Sequence, residues 1–277
     1  MARSTARRLR LDAELVRRGL ARSREHAAGL IAEGRVTVGG TVATKPATAV
    51  ETAAAVVVRD DVDDPGWASR GAQKLLGALE TFAPQGLVVD GRRCLDAGAS
   101  TGGFTDVLLR RGAREVVAVD VGYGQLVWGL QTDPRVAVHD RVNVRSLAPG
   151  DIGGPVDLVV ADLSFISLGL VLDALVACTA PGGDLVPMVK PQFEVGRERL
   201  GAGGVVRDPA LRATAVLDVV AAARARGLAL RDVVASPLPG PSGNVEYFCW
   251  LSRANPAADT WTDDEALVRR AVERGPA

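Results

Sequence analysis

Apolar positions follow two regimes along the chain. In the first, residues 7–59, they are sparse. Leu11, Leu15 and Val16 stand at helical spacing and stop at Gly19-Leu20, and Ser23 reads as the N-cap of a second helix through Ala27, Leu30 and Ile31 to Gly34. Alternation then takes over. Arg35-Val36-Thr37-Val38-Gly39-Gly40-Thr41-Val42 predicts a hairpin turning at Gly39-Gly40, and Val56–Val58 a further strand. Beyond residue 69 the pattern changes. A helix is expected from Ser69 to Ala83 through Leu75, Leu76 and Leu79, and then come apolar runs that each stop at a polar residue. Asp96 closes the first of these and Asp120 closes Glu115–Val119. Asp140-Arg141 follows Val136–His139, Asp162 follows Val156–Ala161, and Lys190 follows Gly183–Val189. Helices are expected near 105–111, 125–130, 168–178, 210–226 and 261–273, with last strands at 228–235 and 245–251 and a glycine-rich loop over 191–205. Strands alternating with helices predict an α/β architecture, one mostly parallel, doubly wound Rossmann-like sheet, behind a small N-terminal α+β domain.

Between the regimes lie four aspartates in 59–64, then Pro65-Gly66 and an exposed-looking Trp67. This reads as an interdomain linker. The expected boundaries are 1–60 for the small domain, 61–68 for the linker and 69–277 for the large domain.

Charge sharpens that division. The formal net charge of the 277 residues is zero, yet Met1–Lys45 holds ten Arg/Lys against four acids. A basic first domain beside a neutral second one points to a polyanionic partner for the first, with Arg7, Arg8, Arg17, Arg18, Arg22 and Arg24 as candidate phosphate contacts. No apolar run approaches a membrane span, and no apolar region follows the basic N-terminus, so neither a membrane partner nor a secretory signal is expected. Cys94, Cys178 and Cys249 are far apart and each sits among apolar residues. They suit buried positions in a reducing cytoplasm rather than a zinc site or disulfide set, and no metal is expected. His26 and His139 are likewise not read as ligands.

Candidate chemistry centres on Asp96-Ala97-Gly98-Ala99-Ser100-Thr101-Gly102-Gly103-Phe104-Thr105, a strand end, a glycine loop and a helix start. The spacing is Gly98-x-x-x-Gly102-Gly103. The dinucleotide fingerprint needs a second glycine two residues after the first to let backbone touch a pyrophosphate, so this loop suits a ligand without one. Asp120 ends the next strand, where an acidic residue would hold a ribose diol. Together they point to S-adenosyl-L-methionine, although a tight turn made of small residues would also account for the loop alone. The expected donor contacts are Asp96, Gly98, Ser100, Thr101, Gly102, Gly103, Phe104, Asp120 and Asp162, with Asp140 or Arg141 near the adenine. Asp120, Asp162 and Lys190 all stand at carboxyl ends of strands, the edge where open α/β sheets bind ligands. A lysine there is costly to bury without a partner. The candidates for Lys190 are Asp162 and Glu246, with Lys74 nearby; a structural ion pair at the sheet edge is the plainer alternative.

The residues also carry two resemblances. Arg10-Leu11-Asp12, Leu15, Gly19-Leu20, Ser23-Arg24, Ala27, Leu30-Ile31, Gly34, Val36, Val38, Gly40 and Lys45-Pro46 resemble the RNA-binding domain of ribosomal protein S4. From Ser69 to Leu251 the chain resembles the FtsJ-type 2′-O-ribose methyltransferases, and as a whole it is similar to the TlyA family, also known as hemolysin A. The motifs are Ser69–Leu75, Asp96–Thr105, Ala161-Asp162-Leu163-Ser164-Phe165-Ile166, Val189-Lys190-Pro191-Gln192-Phe193-Glu194 and Asn244-Val245-Glu246-Tyr247. The linker around Trp67-Ala68 is where relatives vary. The resemblance implies a Lys-Asp-Lys-Glu tetrad at Lys74, Asp162, Lys190 and Glu246. It also implies S-adenosylmethionine-dependent 2′-O-methylation of cytidine in ribosomal RNA of one or both subunits. A ribose hydroxyl must lose its proton as it attacks, which suits a lysine base disfavoured as an ammonium by burial and a neighbouring cation. Lys190 is the expected base and Lys74 the neighbour. Three alternatives are a non-catalytic RNA-binding factor, a membrane-active haemolysin and a pseudouridine synthase. The complete tetrad, the lack of a membrane segment and the glycine loop with Asp120 speak against them in turn.

Overall fold

The computed structural model describes residues 8–21, 23–32, 34–58, 66–240, 242–253 and 263–276, without the side chains at 197 and 202. Arg7 and Arg22 of the expected phosphate contacts and residues 61–65 of the expected linker therefore lie outside the described residues. The chain divides into two compact units, residues 1–69 and 70–277.

The first unit begins with β1 (Arg8–Arg10), α1 (Leu11–Arg17) and α2 (Arg24–Ala32). It continues with β2 (Val36–Val38), β3 (Thr41–Val42), β4 (Ala49–Glu51) and β5 (Val56–Val58). The predicted hairpin forms, with Val38 opposite Thr41 across the two glycines, and β5 pairs on the other side of β2. A further pairing, β1 with β4, is not visible in the pattern, because three-residue strands are too short to show alternation. Leu11, Leu15, Ala27, Leu30, Ile31 and Val36 close a small core.

The second unit holds α3 (Gly71–Phe82), β6 (Arg93–Ala97), α4 (Gly103–Arg110), β7 (Glu115–Asp120), α5 (Trp128–Gln131) and β8 (Val136–Asp140). Then come β9 (Val156–Ala161), α6 (Leu172–Cys178), β10 (Thr179–Val189) and α7 (Pro191–Glu194). It ends with α8 (Pro209–Arg224), β11 (Leu228–Ala235), β12 (Tyr247–Arg253) and α9 (Asp264–Arg274). Seven strands form one sheet in the order β11-β12-β10-β9-β6-β7-β8. β6 to β10 run parallel, whereas β12 is antiparallel to both β10 and β11. The inner strands are buried on both faces, which is why they read as continuous apolar runs rather than alternating ones. The chain order reverses between β6 and β9, the kind of switch point at whose carboxyl ends open α/β sheets bind ligands.

Four details depart from the sequence reading. The helix after the glycine loop starts at Gly103, and Pro191 opens a turn of helix within the expected loop. β12 starts at Tyr247, so Val245 and Glu246 precede it, although the Ser236 N–H donates to the Glu246 carbonyl at 2.7 Å. Trp67 is half-buried rather than exposed. The three cysteines are free and buried, and burial pushes the Cys94 thiol up to about 12 and that of Cys178 to about 11.

Candidate active site

The glycine loop is shaped by what lies beside it. At Gly98 φ is +88°, and a Cβ there would stand 2.5 Å from the Asp162 carbonyl oxygen, so β6 and β9 can close together only around a glycine. At Gly102 φ is +100°, and a Cβ would meet Leu130 and Leu126 at 2.3 and 2.7 Å. Gly102 also caps α4 without a side-chain hydrogen bond, leaving the first-turn N–H groups around Gly103 and Phe104 to a ligand. Between the glycines, Ser100 adopts φ 47° and donates its N–H to Asp120 Oδ2 at 2.8 Å. Thr101 accepts the Val127 N–H through its carbonyl, which ties the loop to α5.

Asp120 does more than its place at a strand end suggested. Its second oxygen accepts the Gly122 N–H at 2.6 Å, so one carboxylate braces two loops while keeping further lone pairs for a diol. The Gly124 N–H donates to Asp140 Oδ2 at 2.9 Å, and the Arg141 guanidinium lies 4.2 Å over the Tyr123 ring. The donor candidates on β6, β7 and β8 thus share one edge. Asp96 is fully buried beneath them. Thr105 Oγ1 donates to Asp96 Oδ2 at 2.7 Å, and Oδ1 has no hydrogen-bond partner. Burial pushes this carboxyl up to about 7, against the Thr105 bond that favours ionisation, and the Asp162 and Asp120 carboxylates add to the rise.

The tetrad candidates converge from four elements. Lys190 directly follows β10, and its Nζ lies 2.6 Å from Asp162 Oδ1, directly after β9. Lys74, on α3, donates to Glu246 Oε2 at 2.6 Å, and Glu246 Oε1 has no hydrogen-bond partner. Because β12 is antiparallel, the residue before it reaches the same edge as the residues after β9 and β10. Lys190 is only 6% exposed and Glu246 0%, so loss of either partner would strand a buried charge, at about 3–5 kcal/mol. Sequence left two partners open for Lys190; the geometry gives it Asp162 and gives Glu246 to Lys74. It also adds a contact the pattern did not single out. Lys190 Nζ donates to Ser164 Oγ at 3.0 Å. Ser164 stood within a matched motif, but nothing in the residue types said which way its side chain would turn. Among the described residues no cluster of His, Cys, Asp or Glu could hold a metal ion.

In the first unit the arginines are more tied than their number implies. Arg10 and Arg24 both pair with Asp12, and Arg8 pairs with Glu51. Arg17 and Arg18 share the buried Glu14, whose carboxyl they hold down at about 2. Arg18 also donates to the Ala54 and Thr52 carbonyls at 2.8 and 2.9 Å, so its guanidinium is a structural tie. The side chains of Arg8, Arg17 and Arg24 stay more than half exposed, at 66%, 53% and 59%, and remain able to meet a phosphate.

The profile of FtsJ-like methyltransferases matches residues 67–253, and that of the S4 domain matches residues 9–56. The 16S/23S rRNA (cytidine-2′-O)-methyltransferase TlyA of Mycobacterium tuberculosis is 61% identical, over 98% of this chain and 100% of its own. Hemolysin A of Brachyspira hyodysenteriae is 33% identical over 86% of this chain and 98% of its own. A solved structure from Streptococcus thermophilus that carries the hemolysin name is 34% identical. It superposes with a TM-score of 0.75 over 98% of this chain and 96% of that one.

Proposed function

The chain belongs to the FtsJ-like methyltransferase family, within its TlyA branch, and from that premise we propose that it methylates the ribose 2′-hydroxyl of cytidine in ribosomal RNA. The observation that carries the reading is the pair of buried ion pairs, Lys190–Asp162 and Lys74–Glu246, at the sheet edge that also holds the glycine loop. S-adenosylmethionine is the methyl donor in this reading. An uncapped α4, the cradle at Gly98 and Gly102, and the unpartnered Asp96 Oδ1 all suit a cationic ligand bearing a carboxylate. The loop from Gly98 to Phe104 would hold its methionine end, Asp120 its ribose, and Asp140 or Arg141 its adenine.

When bound, that donor supplies a methyl already activated on a sulfonium, so the chemistry asks for no metal. The protein's part is to place and deprotonate the hydroxyl. Lys190 Nζ takes the proton as the oxygen attacks. Asp162 keeps Nζ in place and offsets the charge it gains, and Lys74, held by Glu246, guides the hydroxyl. We assign RNA capture to residues 1–60, with Arg8, Arg17 and Arg24 as phosphate contacts, the linker to 61–68 and catalysis to 69–277. The haemolysin name of one relative finds no support in a membrane segment, since no described helix is long and apolar enough to cross a bilayer. Ribosomal RNA as substrate implies work in the cytoplasm.

The test is methyl transfer to ribosomal subunits beside donor calorimetry. Lys190→Ala should bind donor and RNA yet turn over about 10²–10⁴-fold more slowly. Asp120→Ala should lose donor binding. A Lys190→Ala protein within a few-fold of the parent rate would place the base elsewhere, with Lys74 next. Residues 70–277 alone should bind donor and fail on ribosomal RNA.

A further inference from the structure

A buried amine points where its acceptors make it point. Lys190 Nζ has two neighbours from the loop after β9, Asp162 Oδ1 at 2.6 Å and Ser164 Oγ at 3.0 Å. Asp162 balances charge. Ser164 carries none, so its contribution is direction. Ser164 Oγ takes one N–H direction through a hydrogen bond, Asp162 Oδ1 faces the nitrogen as an ion pair without hydrogen-bond geometry, and the position facing away from both is left for a substrate hydroxyl.

The loop that carries Ser164 is fastened further along. Ser167 Oγ donates to Glu194 Oε2 at 2.6 Å, and the Leu168 N–H donates to Glu194 Oε1 at 2.9 Å. Glu194 ends α7, the helical turn that Lys190 itself caps. Midway, the Phe165 and Phe193 rings pack with centroids 5.3 Å apart. Segments 162–168 and 190–194 are thus joined at three levels. Phe165 sits at φ 64°, rare for a bulky residue, and is 91% exposed, so the ties on either side of it, not burial, hold the turn. Ser164 is therefore presented to Lys190 by a braced backbone, although the residue itself is exposed while the lysine is buried.

We propose that Ser164 is a positioning residue for methyl transfer. Its hydroxyl accepts from Lys190 Nζ and aims that nitrogen at the ribose 2′-hydroxyl. This rests on Lys190 being the base. In the transfer the hydroxyl oxygen gains the methyl, the donor sulfur keeps the electron pair of the broken bond, and the proton passes to Nζ. Ser164 ends unchanged.

The experiment compares Ser164→Ala, Ser164→Thr and Lys190→Ala in the full chain, on ribosomal subunits, with donor affinity measured for each. Ser164→Ala should lower kcat about tenfold, the worth of one hydrogen bond to a charged group, with the KM for RNA and the donor Kd unchanged. Ser164→Thr, which restores the acceptor, should recover kcat to within about threefold of the parent. An unchanged kcat in Ser164→Ala beside an inactive Lys190→Ala overturns the role of Ser164 and leaves the base standing. A fall that comes with weakened donor binding and no recovery in Ser164→Thr marks a structural role and overturns it too. A fully active Lys190→Ala removes the reading beneath both.

Discussion

Replacing Asp96 by asparagine should stabilise the large unit, and increasingly so as pH rises from 3.8 to about 7. The carboxyl rises from 3.8 to about 7 on folding, chiefly because it is fully buried. At about 1.4 kcal/mol per tenfold in proton affinity, this is about 4 kcal/mol, an upper figure because the site can relax. The sign follows from the protons. Between pH 3.8 and about 7 the folded protein keeps the proton and the unfolded chain has lost it, so stability falls as pH rises across that window. Above it both states are ionised and the full penalty stands. Asparagine does not titrate, it can still accept from Thr105 Oγ1, and its NH₂ takes the place of the acid proton. The variant should therefore match the parent well below pH 3.8, gain on it steadily as pH rises to about 7 and keep that lead at pH 8, by up to about 4 kcal/mol. Urea melts of both proteins in the same series of buffers, without donor, measure that difference while other titrations cancel. A gap that is flat with pH, or one that turns against the variant as pH rises, would refute the reasoning.

Gly98→Ala should lose donor binding in calorimetry and lower the melting temperature, because the new Cβ would sit 2.5 Å from the Asp162 carbonyl oxygen at a φ that side chains resist; parental donor affinity would remove the cradle. Arg24→Ala should weaken RNA binding, most at low salt, and reduce the salt slope by about one, with little effect on melting. Arg18→Ala should do the reverse, lowering the melting temperature of the first unit through the lost Glu14, Thr52 and Ala54 contacts; equal effects of the two would contradict the division drawn between them.

The elements that place the site were legible because each leaves a local mark. Buried parallel strands make unbroken apolar runs, and the polar residue at the end of each run stands at the carboxyl edge of the sheet, as at Asp120, Asp162 and Lys190. What resisted reading depends on direction. Lys190 had two plausible partners in sequence, and the choice was made by the antiparallel course of β12, which brings Glu246 to Lys74 instead. Ser164 gave no sign of its contact with Lys190, since that contact depends on the backbone turn completed at Phe165. In the first unit, counting arginines overstated the free positive charge. Glu14 and the Thr52 and Ala54 carbonyls lie away in sequence or inside a helix turn, and together they engage all three nitrogens of Arg18.

The reversed strand has a consequence for the making of the protein. The loops assigned to the donor belong to β6, β7 and β8, all produced before residue 141, whereas Glu246 lies 172 residues after the lysine it pairs with. Until β12 slides between β10 and β11, Lys74 lacks its counter-charge and β11 has no neighbour in the sheet. A chain interrupted before Val245 should thus retain donor-binding elements while having no assembled place for a ribose, which fragments released at that point would reveal by donor calorimetry and methyl transfer. In the proposed mechanism competence would arrive with the last strand of the described sheet, and an unfinished copy meeting ribosomal RNA would leave it unmarked.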